Sequence, residues 1–431
     1  MSLFNSIVNT CSNLFGLVNG QIFGEPPLYV DKTKPAGMTP TPKPTVRRWM
    51  MNAPFVLINS PNFVWASISL AIYFLYPYDL SPISSAATAP ISMSFLAERL
   101  PIWILTTFLY TAFWHISLHI FKLANRPYIP NRPYNYQKLF HNMFWVLSGI
   151  VIWTVFENIF CYLWATNRLS YINDFNSFNT YSGGVKFVLA LMAIPLWRSW
   201  HFYFAHRFLH FKPLYQQVHS LHHRNTDTEP FSGLCMHPVE HLYYYSCILP
   251  SLIFVCSPFA FLWNGVHLLL SPAASHSGWE DHFQSDTFHY LHHLYFECNY
   301  AGQDASFMDV MFGTYIDKLK DTPTPREDAK STLLSYPTFE FVRYLGLSYL
   351  CGLVWLYFVM NNIQLNIISK LIVSSLVGFG PVILAWLLSN KLIGKKMENN
   401  KGMNSFGTFL HTFVGSLFCS VPITYMCWLA L

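Results

Sequence analysis

Charge is scarce in this chain. Only 11% of its 431 residues are Asp, Glu, Lys or Arg, while 52% are apolar and 18% aromatic. An ordinary soluble protein is about 25% charged, so the shortage excludes a well-solvated globular surface and points to an integral membrane protein. The positive mean hydropathy of +0.28 agrees. The nine cysteines are odd in number and scattered, and none forms a Cys-x-x-Cys pair. Neither a disulfide framework nor a thiolate zinc site follows from them. No run of basic residues accompanies the net charge of +5, so no nucleic-acid footprint is present. The start, Met1-Ser-Leu-Phe-Asn, lacks the basic opening and long apolar core of a secretory signal. Insertion is expected to be directed by an internal apolar segment. No repeat of fixed period appears.

What is present is long apolar runs. Stretches of membrane-spanning length lie near 53–77, 98–121, 140–166, 185–205, 344–361, 371–389 and 405–430. Before them comes an arm, 1–52, whose second half is rich in proline (Pro26, Pro27, Pro35, Pro40, Pro42, Pro44) and reads as extended. Lys and Arg recur in the segments 1–52, 122–139, 206–241, 272–343 and 390–404. The segments 78–97, 167–184 and 362–370 carry only Arg168 and Lys370. This alternation fits the positive-inside rule if the apolar stretch 242–271 enters and returns on one side. Pro250 and Pro258 favour such a broken hairpin over a straight span. The fold class expected is all-α: a polytopic membrane helical bundle with a cytosolic cap. Its expected divisions are an arm (1–52), N-terminal transmembrane helices (53–184), a catalytic region (185–343) and C-terminal transmembrane helices (344–431).

Histidine is the other abundance. Fourteen of eighteen histidines lie between His201 and His293. Two copies of His-x-x-His-His occur, His219-Ser-Leu-His222-His223 and His289-Tyr-Leu-His292-His293. His206 and His210, four apart, share one face of a helix that continues a span. Within each box three imidazoles project in a narrow arc, and the adjacent pair diverges toward two neighbouring ions. The candidate metal ligands are His206, His210, His219, His222, His223, His276, His289, His292 and His293. His237 is either a further ligand or part of the substrate mouth. Lone histidines on apolar faces are more often satisfied core residues, which is the reading for His115, His119, His141, His201, His267 and His411. His282 fits a solvated loop as readily as a site.

So many imidazoles exceed the four ligands of structural zinc and the three of catalytic zinc, so two ions are expected. A nitrogen-rich shell with room for another ligand suits iron. Glu240, Glu280, Asp281 and Asp286 are expected to accept the second ring proton of ligating histidines. A metal or proton transporter would place histidines inside spans; here the boxes adjoin Arg207, Lys212, Arg224 and Asp227. A haem protein needs only one or two axial histidines per ring. An inactive lipid-binding relative is the third alternative.

In order and spacing, His206-Arg-x-x-His210, His219-x-x-His222-His223, His237-Pro-Val-Glu240, His276-Ser-Gly-Trp-Glu280 and His289-x-x-His292-His293 resemble the sterol desaturase and fatty-acid hydroxylase superfamily. The resemblance covers roughly 190–320. Leu294–Tyr300 and Met308–Thr314 are similar to sterol C-5 desaturases, and His276–Glu280 to C-4 methyl sterol oxidases and cholesterol 25-hydroxylases. The resemblance implies a non-haem centre of two iron ions, O2 as cosubstrate and a lipid substrate, with a sterol favoured. It implies hydroxylation or desaturation of an unactivated C–H bond in the endoplasmic reticulum membrane. Fatty-acyl or sphingolipid hydroxylation, or alkylglycerol monooxygenation, is the alternative. No His-Pro-Gly-Gly segment marks a fused cytochrome b5, so electrons are expected from a separate carrier such as cytochrome b5 or an equivalent reductase. Two departures stand out: apolar segments continue after residue 343, and Pro272 occupies a position where fatty-acid 2-hydroxylases have a histidine. Trp145, Trp153, Phe156, Trp197, Trp200 and Tyr203 either line a substrate cleft or face lipid.

Overall fold

The structure, a computed structural model, describes residues 30–41, 60–210, 212–252, 256–281, 285–311 and 313–320. The expected spans after residue 343, most of the arm, His282 and His411 lie outside these residues. The described residues are helical and contain no strand, only two isolated bridges.

Helix α1 covers Ser60–Leu75 and α2 Met93–His115, continuing as a π-helical turn at Ile116–Ile120. Helix α3 is Tyr136–Ala165, started by Asn135, whose side chain accepts from Lys138 N. Helix α4 is Tyr181–Leu209, started in the same way by Thr180. These polar caps satisfy N–H groups that a helix start leaves orphaned. Helix α3 is the one described helix long and apolar enough to cross a membrane by length and composition. Apolar side chains of α1, α2 and α3, among them Phe74, Leu105, Leu109, Phe140 and Phe144, stand exposed on the outside.

The stretch 242–271 is broken, as its prolines require. Helix α5, Pro238–Tyr245, runs into a 3-10 segment, Ser246–Leu252. The chain then turns near Cys256, which bridges to Tyr171 beyond the far end of α3. Helix α6, Pro258–Ser275, returns with Pro258 in its first turn, where a missing N–H does no harm. Its path is marked along α3: Phe261 packs on Trp164 and Phe160, and Gly265 on Trp153. A Cβ on Gly265 would lie 2.0 Å from the Trp153 ring, so only glycine lets α6 approach this closely. The hairpin brings His276 back to the end from which α5 departed. Helix α7, Ser285–Tyr295, carries the last histidine box.

The core between α1, α2, α3 and α6 is aromatic, with Trp65, Trp103, Trp153, Trp164 and Phe261 buried together. It also encloses one ion pair, Arg99 of α2 with Glu157 of α3. The described part of the arm, 30–41, packs on the same chain. Thr41 N donates to Asp317 O at 2.7 Å, and Leu319 N to Gly37 O at 2.8 Å.

Candidate metal centre

Nine histidines converge in two buried groups. His206, His210, His219, His223 and His292 form one; His222, His276, His289 and His293 form the other. Within each group the candidate ligand atoms lie within 4.8 Å of one another. Helix α4 ends by delivering His206 and His210, and α7 delivers His289, His292 and His293. His276 follows the last residue of α6.

The first box is not an α-helix. His219–Arg224 is a 3-10 turn, preceded by Val218 with a non-helical backbone (φ −122°, ψ −68°). The two boxes are nonetheless used alike. In each, the first and last histidines share a group and the middle one crosses to the other: His219 and His223 against His222, His289 and His293 against His292. One box gives two ligands to the five-histidine group, the other two to the four-histidine group.

The Nε2 atoms face inward. His219 and His210 approach to 3.1 Å, His223 and His219 to 3.1 Å, and His292 and His223 to 3.1 Å. In the second group His276 stands 3.0 Å from His293 and 3.3 Å from His222. An ion bound about 2.1 Å from each nitrogen holds neighbouring nitrogens roughly 3.0–3.4 Å apart, so the spacing fits.

Five of the Nδ1 atoms face outward onto acceptors. His206 donates to Tyr300 O at 2.8 Å, His292 to Cys298 O at 2.6 Å and His276 to Pro272 O at 2.8 Å. His222 donates to Cys235 O at 3.3 Å, and His219 to a Glu240 oxygen at 2.8 Å. A carbonyl can only accept, so Nδ1 must carry the proton and Nε2 must offer its lone pair. Burial holds the imidazoles neutral as well. It pushes His206 and His219 down to about 3 and His222 to about 4. Neutral imidazoles with converging lone pairs are the donor set that a transition-metal ion takes. These residues can therefore hold two ions.

Of the four acids expected to serve the histidines, Glu240 contacts one, His219. Burial raises its carboxyl to about 8. Glu280 pairs with Arg126 and accepts from Gly37 N. Asp286 accepts from Ser277 and Gly278 N–H, and Asp281 accepts from Asp286 N. These three shape the turn after His276 rather than any imidazole. His237 joins neither group; its Nδ1 caps α5 by accepting from Val239 N at 3.2 Å. Pro272 serves the centre through its carbonyl, not its ring. Of the aromatics proposed for a cleft, Trp153, Trp197 and Tyr203 are buried in the core. Phe202, not anticipated, stacks on the His206 ring at 5.0 Å.

The loop after α7 carried part of the sequence resemblance, but its supporting role was not anticipated. Phe296 and Asn299 have left-handed backbones (φ 65° and 51°), which turn carbonyls toward the histidines. Asp309 pins this loop by accepting from Tyr300 N at 2.8 Å and Ala301 N at 3.0 Å. Glu297 places an oxygen 3.7 Å from His210 Nδ1. The segment 297–300 thus backs three of the five histidines in the first group.

Two enclosed histidine groups, five of their outer nitrogens tied, are compatible with metal binding at two positions, in the pattern of histidine boxes. Residues 189–314 match the fatty acid hydroxylase family, and the superfamily resemblance read from the boxes is borne out there. The chain is similar to a Δ7-sterol 5(6)-desaturase of Gibberella zeae, 30% identical over 127 residues, 26% of this chain and 37% of the relative. It is 29% identical over 137 residues to methylsterol monooxygenase 1 of Rattus norvegicus, 28% and 46% of the two chains. A Δ7-sterol 5(6)-desaturase of Saccharomyces cerevisiae is 26% identical over 261 residues, 55% of this chain and 66% of the relative. The chain thus spans from 37% to 66% of the length of these relatives. No solved structure gives a significant match.

Proposed function

We propose that the chain is a membrane oxidoreductase that uses O2 and two iron ions to desaturate or hydroxylate a lipid, with a sterol as the favoured substrate. The observation that carries the reading is the convergence of nine buried imidazoles, five of them with the outer nitrogen tied to an acceptor. The named relatives are sterol desaturases and methylsterol monooxygenases, which supports a sterol. When bound, the irons supply the O2 activation that an unactivated C–H bond demands.

The chain's own residues would do the rest. The acceptors Tyr300 O, Cys298 O, Pro272 O, Cys235 O and Glu240 hold five of the imidazoles, His206, His292, His276, His222 and His219, each in one tautomer and one rotation. Burial of all nine excludes water. Phe202 on His206 and Phe296 on His223, 4.8 Å between ring centres, set apolar walls against the five-histidine group. Electrons would come from a separate carrier such as cytochrome b5. The Lys and Arg distribution supports boxes turned toward the cytosol, the resemblance to sterol-modifying enzymes supports the endoplasmic reticulum membrane, and the exposed apolar side chains of α1–α3 support the bilayer as their surroundings. A second reading, oxidation of a sterol methyl group, is favoured by His276-Ser-Gly-Trp-Glu280 and by the methylsterol monooxygenase similarity.

Two measurements test the proposal together. Purified protein should contain about two irons per chain and no Soret band. A strain lacking the protein should accumulate a sterol one double bond short of its normal product, or for the second reading one still carrying its methyl group. Iron-free protein and unchanged sterol and sphingolipid profiles would end both readings.

A further inference from the structure

His276 is the ligand with the least rigid support. The other members of its group sit on α7 or on the 3-10 box, whereas His276 lies just past the end of α6. Its place depends on the turn Ser277–Glu280, and Gly278 takes a left-handed backbone there (φ +81°). A Cβ on Gly278 would meet Thr228 O at 2.6 Å and the His119 ring at 3.3 Å, so the turn is enclosed on that side.

The enclosure comes from the upstream half of the chain. His119 Nε2 donates to Ser277 O at 2.8 Å. Tyr128 N donates to Gly278 O at 3.1 Å, and Glu280 N to Arg126 O at 2.9 Å. Pro127 and Trp279 pair as an antiparallel bridge between these contacts. From the other side Asp286 of α7 accepts from Ser277 N. Both main-chain polar groups of Ser277 are therefore tied, its N–H to α7 and its carbonyl to His119.

His119 reaches this carbonyl because α2 abandons α-helical spacing. Ile116–Ile120 is a π-turn, closed by Phe121 N donating to Ile116 O at 2.9 Å. Such turns insert a residue into the helix and swing the following side chains, and they recur at functional sites. The His119 ring is braced by stacking on His115 at 5.1 Å.

We infer that His119, which lies outside the fatty acid hydroxylase region, is a positioning residue for the four-histidine group: it holds the Ser277 carbonyl and thereby fixes His276 opposite His293 and His222. The inference deepens the two-ion reading and rests on it. It also means that the second ion position is built jointly by α2 and the 189–314 region.

The experiment compares wild type, His119→Ala, His119→Gln and His119→Ala/His276→Ala, each as full-length protein in detergent, by iron content per chain after dialysis against a chelator. Wild type with no iron would sink the function proposed above; the remaining outcomes concern His119 alone. His119 acts one step beyond a direct partner of the ligand, whose loss lowers metal affinity about 10–100-fold; His119→Ala should therefore lose iron from one position only, falling from two irons toward one. His119→Gln, which keeps an N–H donor of similar reach, should hold more iron than His119→Ala. Adding His276→Ala to His119→Ala should remove nothing further, because both act on one ion. Retention of two irons by His119→Ala overturns the inference, as does a glutamine variant no better than alanine. Loss of further iron in the double variant, or failure of both single variants to accumulate, makes His119 a core residue and overturns it too.

Discussion

His222 and His223 are neighbours in the chain, yet their imidazoles belong to different groups: His222 stands 3.3 Å from His276, and His223 3.2 Å from His210. The divergence comes from successive side chains on a tight turn pointing far apart. It lets one short box serve two ion positions, and α7 repeats the device with His292 and His293.

This relationship gives the first prediction. His222→Ala and His223→Ala should each abolish turnover, but they should empty different positions. Each single variant should retain about one iron per chain, and His222→Ala/His223→Ala should retain none. Iron determination on the three purified variants checks this. A double variant still holding one iron would mean that the two histidines share a position.

A second prediction concerns Glu240. Its oxygen accepts a hydrogen bond from His219 Nδ1 at 2.8 Å, both groups being buried. Outer acceptors of this kind are worth about 10–100-fold in metal affinity. Glu240→Ala is expected to lose that much, read by competition with a chelator. Glu240→Gln keeps an acceptor oxygen and should lose less. Equal losses would show that the hydrogen bond to His219 contributes nothing to metal affinity.

Much of the centre was legible in the sequence because its ligands are side chains at fixed spacing. Three- and four-residue intervals announce convergence whether the turn is α, as at His289–His293, or 3-10, as at His219–His223. The break in 242–271 was legible too, since Pro250 and Pro258 remove N–H donors. What stayed hidden is the outer support. Tyr300, Cys298, Pro272 and Cys235 act through main-chain carbonyls, which every residue possesses and no motif advertises. His119 looked like a core histidine because its partner, Ser277, lies 158 positions away. The acids near the boxes misled in part: proximity in sequence placed Glu280 and Asp286 beside the turn, not beside an imidazole.

Asp309 supplies a third prediction. Both its oxygens are used, on Tyr300 N, Ala301 N and the Thr314 hydroxyl at 2.7 Å. Asp309→Ala leaves two buried N–H groups without partners, at about 1–3 kcal/mol each. The loop they belong to carries the carbonyls that His206 and His292 use. Asp309→Ala should therefore lower the unfolding temperature and weaken iron in the five-histidine group together. A variant with reduced thermal stability and unchanged iron affinity would separate the loop from the centre.

The last prediction lies at the other end of the helices, in the pair Arg99 and Glu157. Arg99 Nη2 stands 2.7 Å from Glu157 Oε1, and the pair is buried. Glu157 also accepts from Trp103 Nε1 and the Tyr78 hydroxyl, each at 2.7 Å. Removing one partner of a buried pair costs about 3–5 kcal/mol, because the other charge is stranded, whereas replacing both by apolar groups is often near neutral. Glu157→Leu should thus be strongly destabilised in thermal unfolding in detergent, and Arg99→Met/Glu157→Leu should recover part of the loss. Recovery should stop short of wild type, because the Trp103 and Tyr78 donors remain without an acceptor, at about 1–3 kcal/mol each. Iron content should stay at two per chain in both variants, since no ligand histidine touches this cluster. A double variant no more stable than Glu157→Leu would show that the stranded donors, and not the stranded guanidinium, dominate the cost.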